Sequence, residues 1–167
     1  MARPSSVGGP AAADVRLVYV DSGELVEQAR TLFGEYEAAI GIDLCFQGFE
    51  RELATLPRPY APPDGRLILA LRGAEIAGCV ALRNLGDHVA ELKRLYVRPP
   101  LRGRGIGTHL VRTILADART IGYRTVRLDT LPAMTEAIAL YRVLGFREIA
   151  PYTENPVPGA LFMELAL

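Results

Sequence analysis

An α/β (α+β) domain, with a mixed, mostly antiparallel central sheet flanked by helices, is predicted from three features of the sequence. Three apolar stretches, at 67–71, 76–82 and 89–97, follow one another through Arg72-Gly73 and Gly86-Asp87, turn-forming pairs that suit antiparallel connections. A helical apolar face on Ile106, Leu110, Val111, Ile114, Leu115 and Ala118 then leads into a strand at 125–128, which makes a β-α-β unit. Finally, 167 residues of which 50% are hydrophobic and 23% charged are the length and composition of one globular domain. Such a chain buries roughly 70% of the surface its unfolded form exposes.

Taken in order, residues 1–13 mix Pro, Gly, Ser and Ala without periodicity. They are expected to be a flexible segment ahead of a single domain over 14–167. Val15, Leu17 and Tyr19 alternate as a strand does; Asp21 or Ser22 can then cap a helix carrying Leu25, Val26, Ala29, Leu32, Phe33 and Tyr36. Gly41 breaks that helix, and Cys45, Phe49, Leu53 and Leu56 predict a second one over 44–56, ended by the Pro-rich stretch 57–65. After the β-α-β unit, Pro132 stands at the entrance to a helix with Ala133, Ala137, Leu140, Tyr141 and Leu144 on one side, closed by Gly145. Strands at 146–149 and 161–165 complete the chain.

Nineteen basic residues balance nineteen acidic ones, so no long-range field draws the chain to a phosphate backbone or an anionic bilayer. Neither nucleic acid nor membrane is an expected partner, and any anion site must be local. Apolar runs such as 76–82 fall far short of the roughly 20 residues a membrane span needs, and no basic-then-apolar signal segment opens the chain. A cytoplasmic protein is expected. Cys45 and Cys79 lack CxxC spacing, and His88 and His109 are the only histidines. No metal site is therefore expected, and both cysteines read as small core residues.

The segment that carries chemistry runs from Glu91-Leu92-Lys93-Arg94-Leu95-Tyr96-Val97 through Arg98-Pro99-Pro100-Leu101 to Arg102-Gly103-Arg104-Gly105-Ile106-Gly107. It places a strand, a glycine loop and a helix start in sequence. Glycines at alternate positions let the backbone turn tightly and approach a ligand, while the first-turn N–H groups of the helix point outward. Arg102, Arg104 and the helix dipole, worth ~0.3–1 kcal/mol per anion, add local positive charge. The loop lacks the GK[ST] ending of a nucleotide P-loop, and its G-x-G-x-G spacing is not the G-x-G-x-x-G of a dinucleotide fold.

Arg102-Gly103-Arg104-Gly105-Ile106-Gly107 resembles the Q/R-x-x-G-x-G/A acetyl-CoA motif of the GNAT superfamily of N-acetyltransferases. Ala139-Leu140-Tyr141 ahead of Leu144-Gly145-Phe146 is similar to that family's A-L-Y-x-x-L-G-F segment, and the element order agrees over about 15–165. The resemblance implies that the strand of Leu95, Tyr96 and Val97 splays from the next parallel strand, near Leu128, and holds the pantetheine arm of acetyl-CoA. It also implies that Arg102, Gly103, Arg104, Gly105, Ile106, Gly107 and Thr108 bind the pyrophosphate, mainly through backbone N–H groups. One departure stands out: Met134 occupies the place where many members carry an Asn seven residues before the helix tyrosine.

The implied reaction is direct acetyl transfer from acetyl-CoA to a primary amine. An amine of ordinary pKa is neutral in only about one molecule in 2,500 at pH 7, so a base or desolvation is valuable. Glu91 looks equivalent to the general base of the family's histone acetyltransferases; to serve as one it must be shifted upward by burial or work through a chain of waters. The other reading makes it a strand carboxylate paired with Lys93 or Arg94. Tyr141 stands where the family commonly places its general acid, and otherwise completes an apolar helix face.

Acceptor contacts are expected from Phe46, Phe49 and Glu50 on the early helices and from Tyr152 and Asn155 near the C-terminus. The neutral composition favours a small-molecule or amino-acid-like amine over a protein amine; a homodimer is the one assembly considered. A protein amine as acceptor, or a non-catalytic acyl-CoA-binding regulatory module, are the alternatives.

Overall fold

A computed structural model of the protein describes residues 14–167; the flexible segment expected at 1–13 lies outside the described residues. Among the described residues seven strands form one sheet: β1 (Val15–Tyr19), β2 (Arg66–Arg72), β3 (Glu75–Gly86), β4 (Val89–Val97), β5 (Thr125–Thr130), β6 (Arg147–Ile149) and β7 (Leu161–Ala166). Their spatial order is β1-β2-β3-β4-β5-β7-β6, antiparallel throughout except for the parallel pair β4–β5. The mixed sheet and its one parallel pair match the expectation.

Four α-helices of the described residues cover the two faces. On one side lies α3 (Ile106–Ile121), joined by α4 (Thr135–Val143); Ile106, Leu110, Val111, Ile114, Leu115 and Ala118 of α3 are buried against Ile68, Val80, Leu82, Leu92 and Val126 of the sheet. Each fully buried Ile, Leu or Val contributes about 1.5–3 kcal/mol, so this face anchors the helix whose N-terminus carries the glycine loop. On the other side, α1 (Gly23–Ile40) and α2 (Phe49–Thr55) bury Val26, Ala29, Leu32, Phe33 and Phe49 against Leu67, Leu69, Cys79 and Ala81.

Three local expectations are corrected. The helix expected over 44–56 is split: Leu44–Gln47 form a 3-10 turn, Gly48 sits at φ +70°, and α2 follows. Within that turn Leu44 points inward while Cys45 is exposed, so only Cys79 is a core cysteine. The last helix starts at Thr135 rather than at Pro132, because Leu131 to Met134 form a turn closed by the Met134 N–H on the Leu131 carbonyl at 2.9 Å.

Two backbone features position the site. Parallel pairing of β4 with β5 covers only Val89↔Thr125, Ala90↔Val126 and Glu91↔Arg127, after which the two strands part. Beside this opening β4 bulges: Ala81 pairs with Lys93 and Cys79 with Tyr96, which leaves Arg94 and Leu95 opposite Val80 alone. Arg94 takes φ +58°, and the extra residue resets the alternation. Leu92, Leu95 and Val97 pack on the α3 side while Tyr96 packs on the α1 side.

Candidate active site

Where β4 and β5 part, a cleft of about 570 Å³ opens between them and runs to the start of α3. Leu95, Tyr96 and Val97 form one wall, Leu131, Met134, Ala137 and Leu140 the other, and Arg102, Gly103, Gly105, Ile106, Gly107 and Thr108 close the end. Gly103 and Gly105 hold φ +76° and +78°, which only glycine adopts without strain. Gly107 serves differently: a Cβ there would sit 3.8 Å from Val97 Cγ2 and 3.9 Å from Leu140 Cδ2, within the throat of the cleft. No side chain caps α3, so its first-turn N–H groups are left for a ligand. An extended ligand ending in phosphates fits this cleft.

Of the residues expected around the pyrophosphate, Arg104 alone does not line the cleft; it is exposed. Arg102 is held by a 2.8 Å bond from its Nε to the Val97 carbonyl, with its guanidinium 5.7 Å from the Tyr96 ring. Met134 lines the cleft and the pocket beyond it, and its sulfur accepts a 3.6 Å hydrogen bond from the Thr130 hydroxyl. A thioether thus fills the place of the family's Asn.

Deeper in the opening, a second and narrower pocket shares Ile40, Leu95, Leu131 and Met134 with the cleft. Its volume is about 30 Å³, on a scale where one water needs roughly 10–15 Å³. Tyr141, Asp129, Lys93, Arg94, Gln47 and Asn155 supply its polar lining. Tyr141 is 4% exposed and tilted against Phe146 at 5.5 Å between ring centroids. Burial, with Tyr36 and Asp129 nearby, raises its hydroxyl well above the usual phenol range, so it stays protonated. Phe46 and Asn155, both expected at the acceptor, line this pocket, whereas Phe49, Glu50 and Tyr152 do not.

Arg94 explains Phe49. Its Nε and Nη2 donate to the Glu52 carboxylate at 2.9 and 3.1 Å, its Nη1 donates to Gln47 Oε1 at 2.9 Å, and its guanidinium lies 5.3 Å from the Phe49 ring. The group is a clamp that fastens α2 and the preceding turn to the bulge of β4. Glu50, by contrast, is an exposed first-turn residue of α2.

Glu91 is 1% exposed and enclosed. Arg83 Nε donates to its Oε1 at 2.7 Å, Tyr152 donates to its Oε2 at 2.6 Å, and Lys93 Nζ lies 3.5 Å away. Burial pushes the carboxyl upward, but Lys93, Arg83 and the Tyr152 hydroxyl outweigh it and hold it below its ordinary value. The upward shift expected of a direct base is therefore not what these neighbours produce. Tyr152 serves this carboxylate, with its ring edge-on to Phe162.

The sequence reading missed Asp129, Lys93, Arg94, Gln47 and Tyr36. A signal existed for Asp129: it is the one acid in β5, near the carboxyl end of a parallel strand, where ligands of open α/β sheets gather. For Gln47 and Tyr36 no local pattern distinguishes a lining residue from an ordinary helix residue.

Among the described residues no group of His, Cys, Asp and Glu could hold a metal ion, and no helix is long and apolar enough to cross a membrane. The profile of the acetyltransferase (GNAT) family matches residues 27–146. An uncharacterised N-acetyltransferase from Schizosaccharomyces pombe is 38% identical, over 85% of this chain and 88% of its own. In three dimensions the chain is similar to an acetyltransferase from Streptococcus agalactiae, with TM-score 0.77 at 19% identity over 92% of this chain and 99% of that one. A GNAT family acetyltransferase from Elizabethkingia anophelis with acetyl-CoA bound gives a TM-score of 0.66 at 19% identity, again over 92% and 99%.

Proposed function

Because the chain belongs to the GNAT acetyltransferase family and is an acyltransferase, we propose that it transfers an acetyl group from acetyl-CoA to the primary amine of a small molecule. The observation that carries this reading is the adjacency of two cavities, which share Ile40, Leu95, Leu131 and Met134 as lining. The long cleft ends at the uncapped start of α3, and its other end meets the small polar pocket that holds Tyr141.

Bound acetyl-CoA would supply an acyl thioester, an electrophile that an amine attacks without an enzyme nucleophile. Gly103 to Thr108 would hold its phosphates through backbone N–H groups, while Leu95, Val97, Leu131 and Leu140 would enclose the arm and exclude water. Tyr141 would donate its proton to the leaving sulfur. A thiolate of ordinary pKa ~8.5 is a weaker base than a phenolate of ~10, so the transfer runs uphill by about 2 kcal/mol at ordinary values, and burial raises both acids without reversing that order. Arg94 and Glu52 would hold the acceptor wall, and Glu91 would act as a fixed charge behind it.

Acceptor-dependent release of free thiol from acetyl-CoA, measured over a panel of amines, polyamines, amino acids and peptides, tests the reading. Transfer to one or more small amines is expected. Transfer to peptides alone would place the acceptor among protein amines.

A further inference from the structure

On that reading of the site, we propose that Asp129 is the catalytic carboxylate: it binds the acceptor as an ammonium ion and takes the proton that the nitrogen sheds. Three observations carry this.

Placement comes first. Glu91 lies in the last paired position of β4, opposite Arg127, and lines neither cavity. Asp129, two residues beyond Arg127, stands where the strands have parted and lines the small pocket together with Tyr141 and Leu95. A nitrogen there lies beside the junction of the two cavities.

Bonding capacity comes second. The Asp129 side chain is 8% exposed, yet it accepts a single hydrogen bond, from Asn155 Nδ2 to Oδ2 at 3.0 Å. Its Oδ1 has Lys93 Nζ at 3.9 Å, beyond hydrogen-bond reach. Oδ1 of Asp129 thus has no direct hydrogen-bond donor from the protein, whereas both oxygens of Glu91 accept one.

The third is the state of the other charges. Lys93 is shared with Glu91 at 3.5 Å, and every guanidinium nitrogen of Arg94 already donates to Glu52 or Gln47. The pocket therefore offers an acceptor's ammonium a carboxylate and offers an acceptor's carboxylate no unengaged cation. Asn155 is itself fixed by the Val157 N–H on its Oδ1 at 3.0 Å, so the loop before β7 holds Asp129 in place.

The amine enters as R–NH3⁺ beside Asp129 and gives one proton to its carboxylate. The freed lone pair forms the C–N bond to the thioester carbonyl, the C–S bond breaks, and its electron pair leaves on sulfur. Of the three ammonium protons, one remains on the amide, one ends on sulfur by way of Tyr141, and one passes to water.

The test uses the full chain, acetyl-CoA and the best small amine from the panel. Asp129→Asn is expected to lower kcat/KM for the amine at least ~10²-fold, in line with the loss of a positioned proton acceptor. Acetyl-CoA affinity by calorimetry should stay within about twofold, and added formate should restore part of the activity of Asp129→Ala. Asp129→Asn with wild-type kcat/KM overturns the inference alone. A variant that loses acetyl-CoA affinity in step with activity assigns Asp129 to the fold and overturns it too. Wild-type protein that acetylates no amine at all overturns the underlying acceptor reading, and this inference with it.

Discussion

Tyr152, on the loop before the last strand, donates a 2.6 Å hydrogen bond to Glu91 of β4, 61 positions earlier in the chain. The bond closes a chain of charges, Arg83, Glu91 and Lys93, beneath the site, and Asn155, on the same loop, donates to Asp129. One loop thus fixes two carboxylates from two strands.

The Glu91 carboxyl is held below its ordinary value, so the unfolded chain binds its proton first as pH falls. Its contribution to stability is complete above the ordinary carboxyl value of about 4.3 and is lost as pH drops through the lowered native value. Urea unfolding between pH 3 and 7 should therefore show a steeper acid loss for wild type than for Glu91→Gln. Parallel pH profiles for the two proteins would remove Glu91 from that role.

Gly78 is required by close approach rather than by backbone angle. A Cβ at this position would lie 2.4 Å from the Tyr96 carbonyl oxygen, where β3 meets the bulge of β4. Gly78→Ala should cost about 3 kcal/mol of stability, at the upper end of overpacking substitutions. The urea midpoint checks it, and an unchanged midpoint would show that the bulge yields without cost.

Gly107 predicts a split between stability and binding. Alanine there meets only ordinary contacts at 3.8 and 3.9 Å and should leave the fold intact. A leucine projects into the throat of the cleft between Val97 and Leu140, and Gly107→Leu should weaken acetyl-CoA at least ~10-fold by calorimetry, while helix content by circular dichroism stays unchanged.

Removing the Tyr141 hydroxyl keeps the ring in its place against Phe146. Tyr141→Phe should lower kcat by ~10²-fold or more with acetyl-CoA affinity unchanged, because a proton donor acts in the transition state and not in cofactor binding. A wild-type kcat across the pH range would take Tyr141 out of the proton path.

The readable parts of the molecule were those with local periodicity or local backbone constraint. The face of α3, the three successive antiparallel strands and the glycine loop are each written within a few neighbouring residues. The break at Gly48 was harder to read, because apolar residues at spacings of three and four run through it and mimic one helix. Cys45 was misplaced for the same reason.

Local pattern alone therefore determined the fold class, the glycine loop and the tyrosine helix, since hydrogen bonding and hydrophobic periodicity act over a few residues. Which carboxylate lines the pocket was decided only by the tertiary structure. Glu91 and Asp129 are both strand acids, and the place of Asp129 near the carboxyl end of β5 distinguishes it only once the pairing of that strand is known. Their fates are set by Arg83, Tyr152, Lys93 and Asn155, which converge from three segments of the chain, and by β4–β5 pairing that stops after Glu91 and Arg127. Coulomb energy and desolvation depend on distance in space, and folding alone makes those distances short.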